Sequence, residues 1–200
     1  MEGAALLGRH DHPEVSMHTF PLARYMKAID RDDWRGVSDL MVESGEKLAR
    51  LGADFLICPD NTIHREMADA RARSTLPWLH IAECVAAEAA SKRYARVGLT
   101  GTKYLMESDV YPADFVRPLP EERERIDAII FDELVYGQFR PESRRYFQDA
   151  IGRMRAAGCD AVVLGCTEIP LLIGAEDSPL PVLDSTRLLA RAALKKAAAG

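Results

Sequence analysis

The sequence predicts an α/β fold made of two similar lobes, each a parallel sheet flanked by helices, related to one another by a pseudo-twofold. Three observations lead there. One segment recurs without a gap, a helical pattern precedes each copy, and a second segment recurs behind each copy in the same order.

The first recurring segment is LGADFLICPDNTIH, Leu51 to His64, which aligns with AGCDAVVLGCTEIP, Ala157 to Pro170. Gly52 meets Gly158 and Asp54 meets Asp160. Each apolar run that follows, FLIC or AVVL, is short and reads as a strand buried on both faces, as parallel-sheet strands are. The stretches in front, Arg35 to Arg50 and Glu142 to Ala156, carry a helical pattern. Each stops at Gly52 or Gly158, where a left-handed C-cap is wanted. Asp54 and Asp160 are expected to hydrogen-bond their own turns.

Downstream, STLPWLHI (Ser74 to Ile81) resembles SPLPVLDS (Ser178 to Ser185), and an Ala-rich helix follows each. Between the copies, Val97 to Leu99 reads as another buried strand running into a Gly-Thr loop. PEERERIDAIIFDELVYGQF reads as an amphipathic helix capped near Gly137. Alternating strands and helices give parallel sheets. The lobes interleave: residues 1–82 with 179–200 carry the Asp60 tip, and residues 83–178 carry the Cys166 tip.

Composition narrows the partners. The chain has 200 residues, 48% of them apolar, which suffices for a substantial core or two smaller ones. A net charge of −5 and a pI near 5.6 leave no positive excess to neutralise phosphates, which argues against nucleic acid or an anionic membrane as partner. The opening MEGAALLGRHDHPE has no basic stretch leading into a long apolar one, and no window approaches about 18 uninterrupted apolar residues. A cytoplasmic protein is expected. Cys58, Cys84, Cys159 and Cys166 form no CxxC pair and have no histidine at zinc-ligand spacing, so they read as reduced thiols.

The chemistry is expected at the strand tips, because ligands of open α/β sheets bind beyond the carboxyl ends of strands. The alignment sets Asp60-Asn61-Thr62 against Cys166-Thr167-Glu168. Two proton-transfer groups on opposite faces of one bound carbon are what inversion requires. Hydroxyls, amides and backbone N–H groups beside them can hold a carboxylate and the charge that develops on it.

These segments resemble the signatures of the aspartate/glutamate/hydantoin racemase superfamily. LGADFLICPDNTIH is similar to the first, an apolar strand ending in Pro-Cys-Asn-Thr-x-His, and VVLGCTEIPLLI to the second, a strand ending in Gly-Cys-Thr-Glu. With LTGTKYLMESDVY the likeness covers most of the chain and is nearest the amino-acid racemase branch. It implies a homodimer that acts on a small anionic substrate, aspartate or glutamate, with no pyridoxal phosphate and no metal. By the same likeness Asp60 and Cys166 are the catalytic pair. Asn61, Thr62, Thr102 and Thr167 would bind substrate, and Glu168 would orient the thiol or the ammonium group.

Three departures stand out. Asp60 replaces the first cysteine, and a carboxylate with an ordinary pKa near 3.9 is a weak base unless burial raises it. The usual first βα unit is missing or shortened, and the stretch between Tyr111 and Glu121 is short by roughly two helical turns. Two other readings therefore stay open: a one-cysteine decarboxylase, isomerase or lyase, and a non-catalytic ligand-binding relative.

Other candidates have plainer roles. Asp60 suits a helix N-cap as well as catalysis. The Cys166 thiol is expected to be activated by a helix N-terminus. Cys58 reads as a core thiol and His64 as a first-turn helix residue. One of Arg140, Arg144 and Arg145 could meet a substrate carboxylate, or all three could form a solvated face. Trp34 and Trp78 read as core or interface residues.

Overall fold

In the computed structural model, which describes residues 2–8 and 10–199, β1 (Val97–Gly101), β2 (Ala161–Gly165) and β3 (Val182–Asp184) form one parallel sheet in the order β1-β2-β3. The helices along the chain are α1 (Glu2–Leu7), α2 (Leu22–Ile29), α3 (Trp34–Arg50), α4 (Met67–Arg73), α5 (Ile81–Lys92), α6 (Lys103–Met106), α7 (Pro120–Asp132), α8 (Pro141–Ala156), α9 (Ile169–Leu172) and α10 (Ser185–Ala198). By internal packing the chain separates into two bodies. The larger takes Pro59–Arg65 and Ile81–Leu189; the smaller takes the chain through Cys58, Glu66–His80, and the chain from Ala190 on.

In the larger body β2 is central and fully buried, which is why its sequence is an unbroken apolar run. Successive side chains of a strand point to opposite faces. Val162 and Leu164 accordingly pack with Ile126, Ile129, Ile130, Phe147 and Ile151 of α7 and α8. Ala161 and Val163 pack instead with Val85 and Ala89 of α5, and with Leu99, Tyr111 and Leu183. Full burial of a side chain such as Phe147 or Ile129 stabilises the body by about 1.5–3 kcal/mol.

The predicted helix ends hold. α3 and α8 run into Gly52 (φ +86°) and Gly158 (φ +90°), and the turn after α7 closes on Gly137 (φ +70°), all left-handed as C-cap glycines are. Asp160 does something other than close its own turn. Its carboxylate accepts from the backbone N–H groups of Ala95 and Arg96 at 2.7 and 3.2 Å, tying the entry of β2 to the entry of β1.

The short link after Tyr111 supplies one further bridge. Val116 pairs in parallel with Gly98 on the outer side of β1, donating to Val97 O at 2.8 Å while Leu99 N donates to Val116 O at 2.9 Å. Arg117 fixes this link by donating to the backbone carbonyls of Met106, Tyr111 and Phe115 at 2.8, 3.1 and 2.8 Å. A rigid guanidinium fork suits this, because its several N–H groups point in fixed directions.

In the smaller body Asp33 caps α3 by accepting from Gly36 N at 2.9 Å. Trp34, Val37, Leu40 and Met41 are its buried face. The FLIC run, expected to be a strand, contributes a single parallel bridge, Leu56 with Trp78. Leu56 N donates to Pro77 O at 2.9 Å and Leu79 N to Leu56 O at 3.0 Å, and Gly45 of α3 lies against both residues. Strand pairing needs a neighbour on at least one side for several residues. Among the described residues before Leu22 the only regular element is α1, and no strand stands there to extend the bridge.

Candidate active site

The sheet register determines which residues emerge together. Gly101 of β1 is paired with Gly165 of β2, so the next residues, Thr102 and Cys166, leave the rim side by side. Leu164 is paired with Asp184, which brings Ser185 beside the same rim. Gly165 has no room for a side chain, since a Cβ there would meet Thr100 O at 2.5 Å.

Pro59–Arg65 belongs to the same body and brings the third part of the site. Thr62–Glu66 forms a 3-10 turn, and Asp60 caps it by accepting from Ile63 N at 3.1 Å. Asn61, Thr62 and His64 are buried behind it. Thr62 Oγ1 meets Thr102 Oγ1 at 2.9 Å, one hydroxyl donating to the other. Asn61 Nδ2 donates to Ser185 Oγ at 2.9 Å, and its Oδ1 accepts from Tyr111 at 2.7 Å. His64 Nδ1 accepts from Ile81 N at 3.4 Å, which anchors the turn to the start of α5.

At the other tip the thiol of Cys166 donates to Glu168 Oε2 at 2.9 Å, and Thr167 Oγ1 donates to the same oxygen at 2.7 Å. Burial pushes the Cys166 thiol well above its ordinary value. The negative charge of Glu168, the hydrogen bond to it, and the charge of Asp60 all push the same way. The expected activation by a helix start is therefore reversed. α9 is a single turn, and the nearest charges are carboxylates, so the thiol is held as a proton donor.

The Asp60 carboxyl is also raised. Crowding by protein atoms is the main cause, the N–H groups of Ile63 and Thr62 oppose it, and Glu168 adds to it. The residue remains exposed to solvent, and the water that reaches it limits the rise. Both tips thus hold acid–base groups shifted upward, each within the electrostatic reach of a carboxylate from the other tip.

The arginines near the start of α8 are engaged elsewhere. Arg144 Nε donates to Leu172 O at 2.8 Å, Arg140 donates to Gln138 Oε1 at 2.6 Å, and Arg145 pairs with Glu142 at 3.6 Å. None of the four cysteines forms a disulfide. Among the described residues no trio of His, Cys, Asp or Glu converges as metal ligands would, and no helix is long and apolar enough to cross a membrane.

Ser185 and Tyr111 were not singled out in the sequence. The signal for Ser185 was present, since it ends the second recurring segment at a strand's carboxyl end, where ligand-side residues belong. Tyr111 lies in an irregular link and gave no such signal.

Comparison with known proteins shows what the chain as a whole is similar to. Crystal structures similar to the chain include a Yersinia pestis protein assigned provisionally as an Asp/Glu racemase, 29% identical with a TM-score of 0.88, covering 98% of this chain and 88% of that one. An aspartate racemase homologue from Pyrococcus horikoshii OT3 is 26% identical with a TM-score of 0.82, covering 100% and 89%. Among characterised proteins, the broad specificity amino-acid racemase RacX of Bacillus subtilis is 22% identical over 187 residues, 90% of this chain and 80% of that protein. Glutamate racemase of Pseudomonas aeruginosa is 29% identical over 163 residues, 74% of this chain but only 59% of that enzyme. Residues 4–193 match the family described as Asp/Glu/Hydantoin racemase, and the chain belongs to that family.

Proposed function

We propose that the chain is a cofactor-independent racemase of an acidic amino acid, aspartate or glutamate, in which Asp60 and Cys166 exchange the α-proton between opposite faces of the bound carbon. One observation carries this reading: a single body brings the two strand-tip groups into one electrostatic neighbourhood, with the thiol held protonated. In one direction the Asp60 carboxylate takes the proton from Cα, and the electron pair left behind spreads into the substrate carboxylate. The Cys166 S–H delivers its proton to the far face, leaving protonated Asp60 and a thiolate; solvent exchange restores the pair. In the other direction the roles swap. Whichever of Thr62 and Thr102 accepts in their mutual contact keeps its hydroxyl proton for a substrate carboxylate, Thr167 can turn its own from Glu168 to the substrate, and Glu168 is suited to accept from the ammonium group.

The test is incubation of each enantiomer in deuterated solvent, followed by chiral chromatography. Wild-type protein is expected to invert the centre and incorporate deuterium at Cα, and Cys166→Ser to lower inversion by about 10²–10⁴-fold, the usual weight of a general acid or base. Inversion at the wild-type rate in that variant would remove Cys166 from the mechanism.

The protonated thiol also supports a second reading, a one-cysteine decarboxylase or isomerase of a small diacid in which Cys166 only donates. That reading predicts turnover of a malonate- or maleate-like diacid with no inversion of aspartate or glutamate.

A further inference from the structure

Asn61 is buried at 2% exposure, and both ends of its amide are occupied by protein. Hydrogen-bond chemistry fixes the direction of this chain of contacts. Ser185 Oγ lies 2.9 Å from Leu164 O, and a carbonyl can only accept, so the serine donates there. Its lone pair is then free to accept from Asn61 Nδ2, which turns Oδ1 toward Tyr111 and makes the phenol the donor. Tyr111 is 1% and Ser185 0% exposed, so no water competes with the arrangement.

The line of contacts begins at the link held by Arg117, crosses the residue next to Asp60, and ends on the β2 carbonyl two residues before Cys166. We propose that Tyr111, Asn61 and Ser185 form a positioning relay that locks the Asp60 turn onto the strand end carrying Cys166. Ser185 and Tyr111 are then positioning residues for the reaction, and Asn61 acts through them and not as a substrate ligand. The relay rests on the two-base reading for its effect on turnover, but not for its effect on the turn itself.

Two measurements on Tyr111→Phe and Ser185→Ala test it, and both substitutions keep the bulk of the side chain. The first is amide hydrogen exchange of the intact protein. Protection of residues 61–66 is expected to fall by about tenfold or more while residues 126–130 of α7 are unchanged. Unchanged protection of 61–66 overturns the relay. The second is steady-state inversion of aspartate or glutamate. A fall of about 10–100-fold in kcat with KM within about twofold is expected, because a misplacement of about 1 Å costs that much. Continued deuterium entry without inversion should accompany it, since Cys166 stays in place while Asp60 drifts. A KM that rises as much as kcat falls overturns the positioning role and returns Asn61 to substrate binding. Wild-type protein that exchanges no α-proton would refute the two-base reading, and the amide-exchange result would still decide the relay.

Discussion

Cys166 and Glu168 form a thiol–carboxylate pair at 2.9 Å in which the carboxylate raises the thiol and is itself shared with Thr167. The cysteine of this site is therefore stored as an acid. That distinguishes it from a reactive nucleophile, which needs a positive neighbour to hold a thiolate.

Removing the carboxylate should make the thiol more reactive. In Glu168→Gln the charge and the anionic acceptor are both lost, so the thiol falls toward its ordinary value near 8.5 and its thiolate fraction at neutral pH rises. Alkylation of Cys166 by iodoacetamide at pH 7.5 is expected to be faster in the variant than in wild type, although burial, which the substitution leaves in place, still holds the thiol up. Slower alkylation would show that Glu168 activates the thiol.

The pH profile follows from the same shifts. In the direction where Asp60 is the base it must be ionised and Cys166 protonated. Both are held above their ordinary values, so the acid limb of kcat/KM should lie above about 3.9 and the alkaline limb above about 8.5. An alkaline limb below the ordinary thiol range contradicts the assignment.

Asp60 should cost stability at neutral pH. A carboxyl raised in the folded chain binds its proton more tightly there than in the unfolded chain. Its stabilising effect is thus complete below the unfolded value and is lost as pH rises through the folded one. Asn can still cap the turn by accepting from Ile63 N. Asp60→Asn is expected to melt with wild type at acid pH and above it at pH 7, with inversion lost. An Asn variant less stable at pH 7 would make the cap, not the charge, the larger effect.

Gly165 and Gly152 give opposite expectations. A Cβ at Gly165 meets Thr100 O at 2.5 Å and Leu105 Cδ2 at 2.7 Å, whereas one at Gly152, inside α8, meets nothing within 4 Å. Gly165→Ala should destabilise by about 1–3 kcal/mol through overpacking. Gly152→Ala should stabilise by about 0.5–1 kcal/mol by lowering the freedom of the unfolded chain. Thermal melts of the two variants check both signs.

The parts of this structure that could be read from the residues are those set by local pattern. α3 and α8, the two left-handed glycines behind them, and the apolar run of β2 each carry their own signal. The FLIC run carried the same signal and became one bridge, because a strand also needs a partner and among the described residues only Trp78 supplies one. At the site, residue types marked Asp60 and Cys166 and already set Glu168 two residues from the thiol; what the sequence did not show is that the helix behind them, α9, is a single turn, too short to outweigh that carboxylate. The Tyr111–Asn61–Ser185 line joins residues far apart in sequence and becomes visible only once the chain is folded.

Trp34 and Trp78 are the chain's two tryptophans, and both fall in the smaller body. Emission excited at the red edge of protein absorbance will therefore report one body while staying dark to the other, which carries Asp60 and Cys166. A denaturation curve followed at that wavelength and one followed by far-ultraviolet ellipticity need not coincide, and any gap between them would time the two bodies separately.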